Sequence, residues 1–212
     1  MPNWCNNNIT ISGDEGTIRT LTAVLKSIKT SDEEQSNNVF QSLIGLPQHM
    51  SDGDYKEKWY DTNIEWFGTK WDISYSEDMF TFTKGEISFF CETAWSPPIP
   101  FLQNLCEMYK VNANLFYSEG GVGFSGESTF NWVDGQLEVY DDECGYLEGI
   151  YKYSRDEFWS EVESRVDCIL DEEQTLEDFI SEFDFVSEED KEELTRLYNE
   201  TINNNDEESE GE

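Results

Sequence analysis

Two helical stripes set among short alternating segments restrict this chain to a small group of folds. Between Thr17 and Ile28 the apolar residues Ile18, Leu21, Val24 or Leu25, and Ile28 recur at intervals of three and four, which gives a helix one apolar face. A second stripe, Phe101 or Leu102, Leu105, and Met108 or Tyr109, runs from about Ile99 to Tyr109. It follows Ser96, Pro97 and Pro98, where serine can cap free backbone donors and proline suits a first helical turn. Period-two patterns surround both stripes, at Trp4 to Ser12, Met79 to Thr83, Glu86 to Thr93 and Val111 to Ser118. The second and third of these read as a hairpin joined near Lys84 and Gly85.

In chain order the elements run strand, helix, strand, strand, helix, strand, the split βαβ order of a ferredoxin-like antiparallel sheet. The expected fold class is α+β, with additional strands and C-terminal acidic helices. The additional strands are Thr129 to Val133, then Gln136 to Tyr140 and Tyr146 to Tyr151 as a hairpin around Asp141, Asp142, Glu143 and Gly145. Between the first helix and the first hairpin, residues 30–38 read as a loop, Val39 to Leu46 as a short apolar segment, and Met50 to Lys58 as exposed and polar. The aromatic stretch from Trp59 to Tyr75 is interrupted by Gly68, where a turn or a close backbone approach is expected.

Charge divides the chain again. Of 212 residues 47 are acidic and 13 are Lys or Arg, a formal charge of -34. Residues 1–130 hold 18 acidic and 8 basic side chains, residues 131–212 hold 29 and 5. Three capping pairs in the acidic part, Ser154 with Glu157, Thr175 with Asp178 and Ser187 with Asp190, each open an amphipathic segment. The expected organisation is a ferredoxin-like body over 1–152, an acidic helical appendage over 153–202 packed on the body or on a partner, and a disordered tail over 203–212.

These features exclude several function classes. A surface this acidic repels phosphate backbones, so direct nucleic-acid binding is not expected. No apolar run is long enough to span a bilayer, and the expected location is cytoplasmic. Five cysteines without a CxxC pair and a single histidine, His49, build no zinc site, and no metal or cofactor is expected. The glycine run Gly120 to Gly126 lacks Walker spacing and falls between strands, so it reads as turns or a bulge. Asp141, Asp142 and Glu143, like Asp171, Glu172 and Glu173, lack the ligand spacing of a calcium loop. No catalytic residue is assigned, and the chain is not expected to be an enzyme.

Four blocks carry a family resemblance: MPNWCNN at Met1–Asn7, FGTKWD at Phe67–Asp72, ETAWSPPIPF at Glu92–Phe101 and FYSEGGVGFSG at Phe116–Gly126. In this order they resemble the YubB or Api92-like family of phage and plasmid proteins, over roughly residues 1–130. The resemblance implies the α+β fold and an origin in mobile elements, whose cytoplasm would be that of the host. It implies no chemistry, and the acidic C-terminal part stands outside it.

Two regions are candidate sites. If the sheet brings FGTKWD beside ETAWSPP, then Lys70, Asp72, Glu92 and Trp95 line a small polar pocket for a small molecule or nucleotide. The structural alternative is Lys70 paired with a carboxylate and Trp71 and Trp95 packed in the core. The second region is the acidic helices, with Glu157, Glu161, Glu163, Asp167, Asp171, Glu172, Glu173, Glu177, Asp178, Glu182, Glu188, Glu189, Glu192 and Glu193 as partner-binding carboxylates. The function expected from these is an interaction protein that inhibits a host protein with a basic surface, such as a defence nuclease or DNA-binding factor, by mimicking DNA charge. The alternative is an inhibitor anchored by exposed aromatics, such as Trp59, Tyr60, Trp66 or Phe67, in which charge only steers the encounter.

Overall fold

The computed structural model describes residues 3–28, 38–169 and 175–209, with the backbone alone at 165, 167–169 and 202–209. The first strand, β1 (Trp4–Ser12), alternates as its sequence demands. Cys5, Asn7, Ile9 and Ile11 are buried while Trp4 and Asn8 are exposed. Asp14 then opens α1 (Glu15–Ile28) by accepting hydrogen bonds from the backbone N–H groups of Gly16 and Thr17 at 2.9 and 3.0 Å. The stripe Ile18, Leu21, Leu25 and Ile28 is buried on the sheet side. After α2 (Val39–Ile44) and α3 (Asp52–Phe67) come β2 (Phe80–Phe82), β3 (Glu86–Ala94), α4 (Ile99–Tyr109), β4 (Asn112–Glu119), β5 (Phe124–Val133) and β6 (Gln136–Gly145).

The sheet order is β2-β3-β1-β4-β5-β6. β1 lies antiparallel between β3 and β4, with Ile9 opposite Phe89 on one side and Leu115 on the other, and β2 pairs antiparallel with β3. The order β2-β3-β1-β4 with α1 and α4 as connections is the ferredoxin-like arrangement, and β5 and β6 extend it beyond β4. Phe40 of α2 stacks on Phe101 of α4 at 4.1 Å and meets Phe67 of α3 at 5.9 Å, so the short helices are fixed by ring contacts over the sheet.

Two stretches read only by their polarity prove helical, and two local expectations are corrected. The apolar segment Val39 to Leu46 is largely helix, and the polar, mostly exposed region from Asp52 onward is the first half of α3, opened by a reciprocal capping box between Ser51 and Asp54. Ser96 does not cap α4. Pro98 holds the cap position, while Ser96 Oγ donates to the Gly68 carbonyl at 2.6 Å. Tyr146 to Tyr151 is not a strand but lies in α5 (Tyr146–Tyr153), because Tyr146, Leu147, Ile150 and Tyr151 are spaced for one helical face. The hairpin instead turns at Asp134 and Gly135, whose φ of 51° and 81° fit a two-residue type I′ turn.

The chain forms two compact units, Met1–Cys144 and Gly145–Glu212. The second holds α5, α6 (Arg155–Ile169), α7 (Leu176–Ser181) and α8 (Glu188–Ser209). Their apolar stripes bury one another: Ile150, Phe158, Val162, Val166, Phe179, Phe183, Val186 and Leu194 form a core of their own. α5 belongs to that core, which moves the boundary ahead of the expected residue 152. α8 continues to Ser209, into the segment expected to be free. Thr175 and Ser187 accept from the backbone N–H of Asp178 and Asp190 at 3.2 Å, as their spacing indicates. Glu157 instead accepts from the Tyr146 hydroxyl at 3.2 Å.

Candidate functional site

α3 ends at Gly68 because φ there is 84° and a Cβ would lie 2.4 Å from Cδ of Pro100. The next residue, Thr69, is buried. Its hydroxyl donates to the Ala94 carbonyl at 3.2 Å and accepts from the Ala94 N–H at 3.1 Å. With the Ser96 to Gly68 bond, these contacts lay the FGTKWD block beside the end of β3, so Lys70, Asp72, Glu92 and Trp95 share one region of the body.

The four do different things there. Asp72 accepts backbone N–H bonds from Phe40 and Gln41, both at 2.8 Å, and from Ile73 at 2.7 Å. It therefore closes the N-terminus of α2, where Asn38 offers no side-chain cap. Burial pushes its carboxyl up to about 6, against the lowering effect of those N–H donors. Glu92 is exposed and sits opposite Asn6 of β1. The Lys70 ammonium lies over the indole of Trp71 at 4.4 Å and over that of Trp95 at 4.7 Å. Lys70 makes no carboxylate pair among the described residues, and Trp71 and Trp95 are not core: they are 38% and 42% exposed.

Trp4 extends this aromatic surface. Its ring is 6.2 Å from that of Trp71, which is in turn 6.5 Å from Trp95. A groove of about 300 Å³ runs between Trp4 and Trp71, with Asp72 and Glu92 on its walls. Trp95 also has a φ of 73°, a strained value for a bulky residue, and its N–H donates to the Asn3 carbonyl at 2.9 Å. Sequence reasoning missed the exposure of Trp4 and Trp71, although each lies in one of the motif blocks. Of the aromatics named as anchors, Phe67 is fully buried and Trp66 is half-buried with its indole donating to the Gly45 carbonyl, whereas Trp59 and Tyr60 are exposed.

The glycine-rich turn after β4 already holds an anion. The buried Glu119 carboxylate accepts from the N–H groups of Gly121 and Val122 at 2.7 and 2.6 Å, so the loop cradles its own side chain. Desolvation pushes the buried thiols of Cys5 and Cys106 up to about 12, far from thiolate chemistry.

In the second unit, Glu163, Glu177, Asp178, Glu182, Glu188, Glu189 and Glu192 are exposed, while Glu157, Glu161 and Glu193 are half-buried. Glu188 pairs with Lys191 at 2.9 Å, Glu193 pairs with Arg196, and Asp178 is engaged by the Thr175 hydroxyl. The side chain of Asp167 and the whole of Asp171, Glu172 and Glu173 lie outside the described residues. Glu163 of α6 and Glu189 and Glu192 of α8 rim a groove of about 690 Å³ whose apolar wall includes Trp159 and Leu197. Asp190 works inward instead: Arg155 donates to both its oxygens at 3.0 and 2.8 Å, and the hydroxyls of Tyr151 and Ser187 donate at 2.6 Å each.

A family model described as a ferredoxin-like domain in Api92-like protein matches residues 70–199. The chain belongs to that family. The matched span takes in α5 to α7 and most of α8, so the acidic helices fall inside the family pattern rather than beyond it. Lys70, Asp72, Glu92 and Trp95 lie inside it as well, and Trp4 lies before it. Among solved structures the chain is similar to a protein api92 from Yersinia pseudotuberculosis, at 9% identity and a TM-score of 0.37, covering 69% of this chain and 98% of that one. No curated protein matches the sequence. Among the described residues no helix is long and apolar enough to cross a membrane.

Proposed function

We propose that this Api92-like protein binds and inhibits a basic host protein through the carboxylates of α6, α7 and α8, and that the partner is a nucleic-acid-binding defence protein whose groove they occupy. The supporting observation is the way the second unit buries its apolar residues. Because the helices turn those faces toward each other, the carboxylates are carried outward on regular helices. Residues 145–212 contain 24 acidic and 5 basic side chains, so the field of this unit is strongly negative. A single exposed ion pair contributes about 0–1 kcal/mol, so such a surface acts through the number of pairs and through faster encounter.

The test is capture from host lysate at about 0.1 M salt, repeated at about 0.5 M, where the screening length is a few ångströms. The expected partner is retained at low salt, released at high salt, and displaced by duplex DNA. A partner that stays bound at high salt and ignores DNA contradicts the charge-mimic reading.

A further inference from the structure

We propose that Trp4, Trp71 and Trp95 form a cation-binding aromatic platform for an arginine side chain of the partner, occupied in the free protein by the chain's own Lys70. This rests on the reading of the partner as basic and adds a second, chemically distinct contact to it.

Lys70 marks the platform. Its ammonium sits over two indole faces at 4.4 and 4.7 Å, yet it has no carboxylate within ion-pair distance among the described residues of a chain with 47 acidic side chains. The rings, not an ion pair, hold it, which shows that this surface accepts a cation. Exposed contacts of this type are weak, so the occupant can be exchanged. Guanidinium is planar, stacks on aromatic faces and sheds water more readily than ammonium, so arginine is the better guest. Glu92 lines the adjoining groove together with Trp4 and Trp71.

The backbone of Trp95 points the same way. A tryptophan at φ 73° is strained, while its ring is 42% exposed and so does not fill the core. Glycine would take that φ without strain. The neighbouring contacts hold the strained turn in place: Trp95 N–H to Asn3, Thr69 to Ala94 on both sides, and Ser96 to Gly68. An indole kept in solvent at a backbone cost is accounted for by what it binds.

The probe is the capped tripeptide acetyl-Gly-Arg-Gly-amide, with citrulline in place of arginine as its neutral counterpart. Both are titrated into the full chain while the indole N–H resonances of Trp71 and Trp95 are followed. The expected result is a saturable shift with arginine and none with citrulline. Lys70→Met, which keeps the stem and removes the charge, should tighten arginine binding at least threefold. Trp95→Gly should weaken it at least fivefold with an equal or higher melting temperature. An equal response to citrulline, or no tightening in Lys70→Met, overturns the proposal, and the Lys70→Met result decides alone if Trp95→Gly fails to fold. Charge reversal at Glu163, Glu189 and Glu192 should leave the tripeptide shifts unchanged. Loss of partner binding in that variant therefore speaks to the acidic helices, and loss of the tripeptide response speaks to the platform.

Discussion

Gly68 and Asp72 show how far single residues govern the body. Gly68 meets two demands at once, a left-handed φ of 84° and the 2.4 Å approach of Pro100. Gly68→Ala should therefore cost about 2 kcal/mol or more, since the left-handed conformation alone disfavours a side chain by about 1–2 kcal/mol. Urea unfolding checks this, and an unchanged midpoint contradicts it. Asp72 accepts three backbone N–H groups, so Asp72→Ala leaves them without acceptors, at about 1–3 kcal/mol for a buried group. Its titration has a definite sign. Burial raises the folded-state value from 3.8 to about 6, so between those values the folded protein holds the proton more tightly than the unfolded chain. The contribution of this carboxyl to stability is fully present below about 3.8 and declines as pH rises through 6. Asp72→Asn should remove that decline from a stability profile measured between pH 4 and 7. A profile parallel to that of the parent contradicts the assignment.

At the scale of elements, Asp190 links α5, α6 and α8 of the second unit through Tyr151, Arg155 and Ser187. Burial works to raise its pKa, but the hydrogen bonds from Ser187, Tyr151 and Arg155 outweigh it and hold the carboxyl below 3.8. The sign is opposite to that of Asp72: this stabilisation is present above pH 3.8 and is lost as pH falls through the lower folded-state value. Asp190→Ala removes the Arg155 pair and the acceptor of the Tyr151 and Ser187 hydroxyls, bonds worth about 1 kcal/mol each, while Ser187 still caps the backbone N–H of residue 190. Hydrogen exchange should then show faster amides in α6 and α8 and unchanged ones in β1, β3 and β4; uniform acceleration contradicts a core confined to this unit. The capping pairs of α7 and α8 could be read directly from Thr175-x-x-Asp178 and Ser187-x-x-Asp190, as could the central order of strands and helices, because both are local in sequence. Tyr146 to Tyr151 was harder, since its three tyrosine and isoleucine residues favour strands as isolated residues while their spacing is helical. The role of Asp72 was illegible because the helix it closes begins more than thirty positions earlier, and the exposure of Trp71 depends on how Gly68 and Thr69 fasten it beside β3.

Across the whole molecule, the two units use their acidic residues differently. In the body Asp72, Glu119 and Asp141 are bound by backbone or hydroxyl donors, and Asp14 and Asp54 cap helices. In the second unit Glu157, Asp178 and Asp190 are bound by hydroxyl donors, while Glu163, Glu189 and Glu192 face a groove with Arg196 as its cationic member. The proposed binding of a basic partner depends on those outward carboxylates. The most direct measurement is the dependence of partner affinity on salt concentration for the parent protein and for Glu163→Lys/Glu189→Lys/Glu192→Lys. A steep loss of affinity with salt is expected in the parent, and in the variant a binding constant at about 0.1 M salt at least tenfold weaker with a shallower slope. Equal affinity and an equal slope in the two proteins would contradict it.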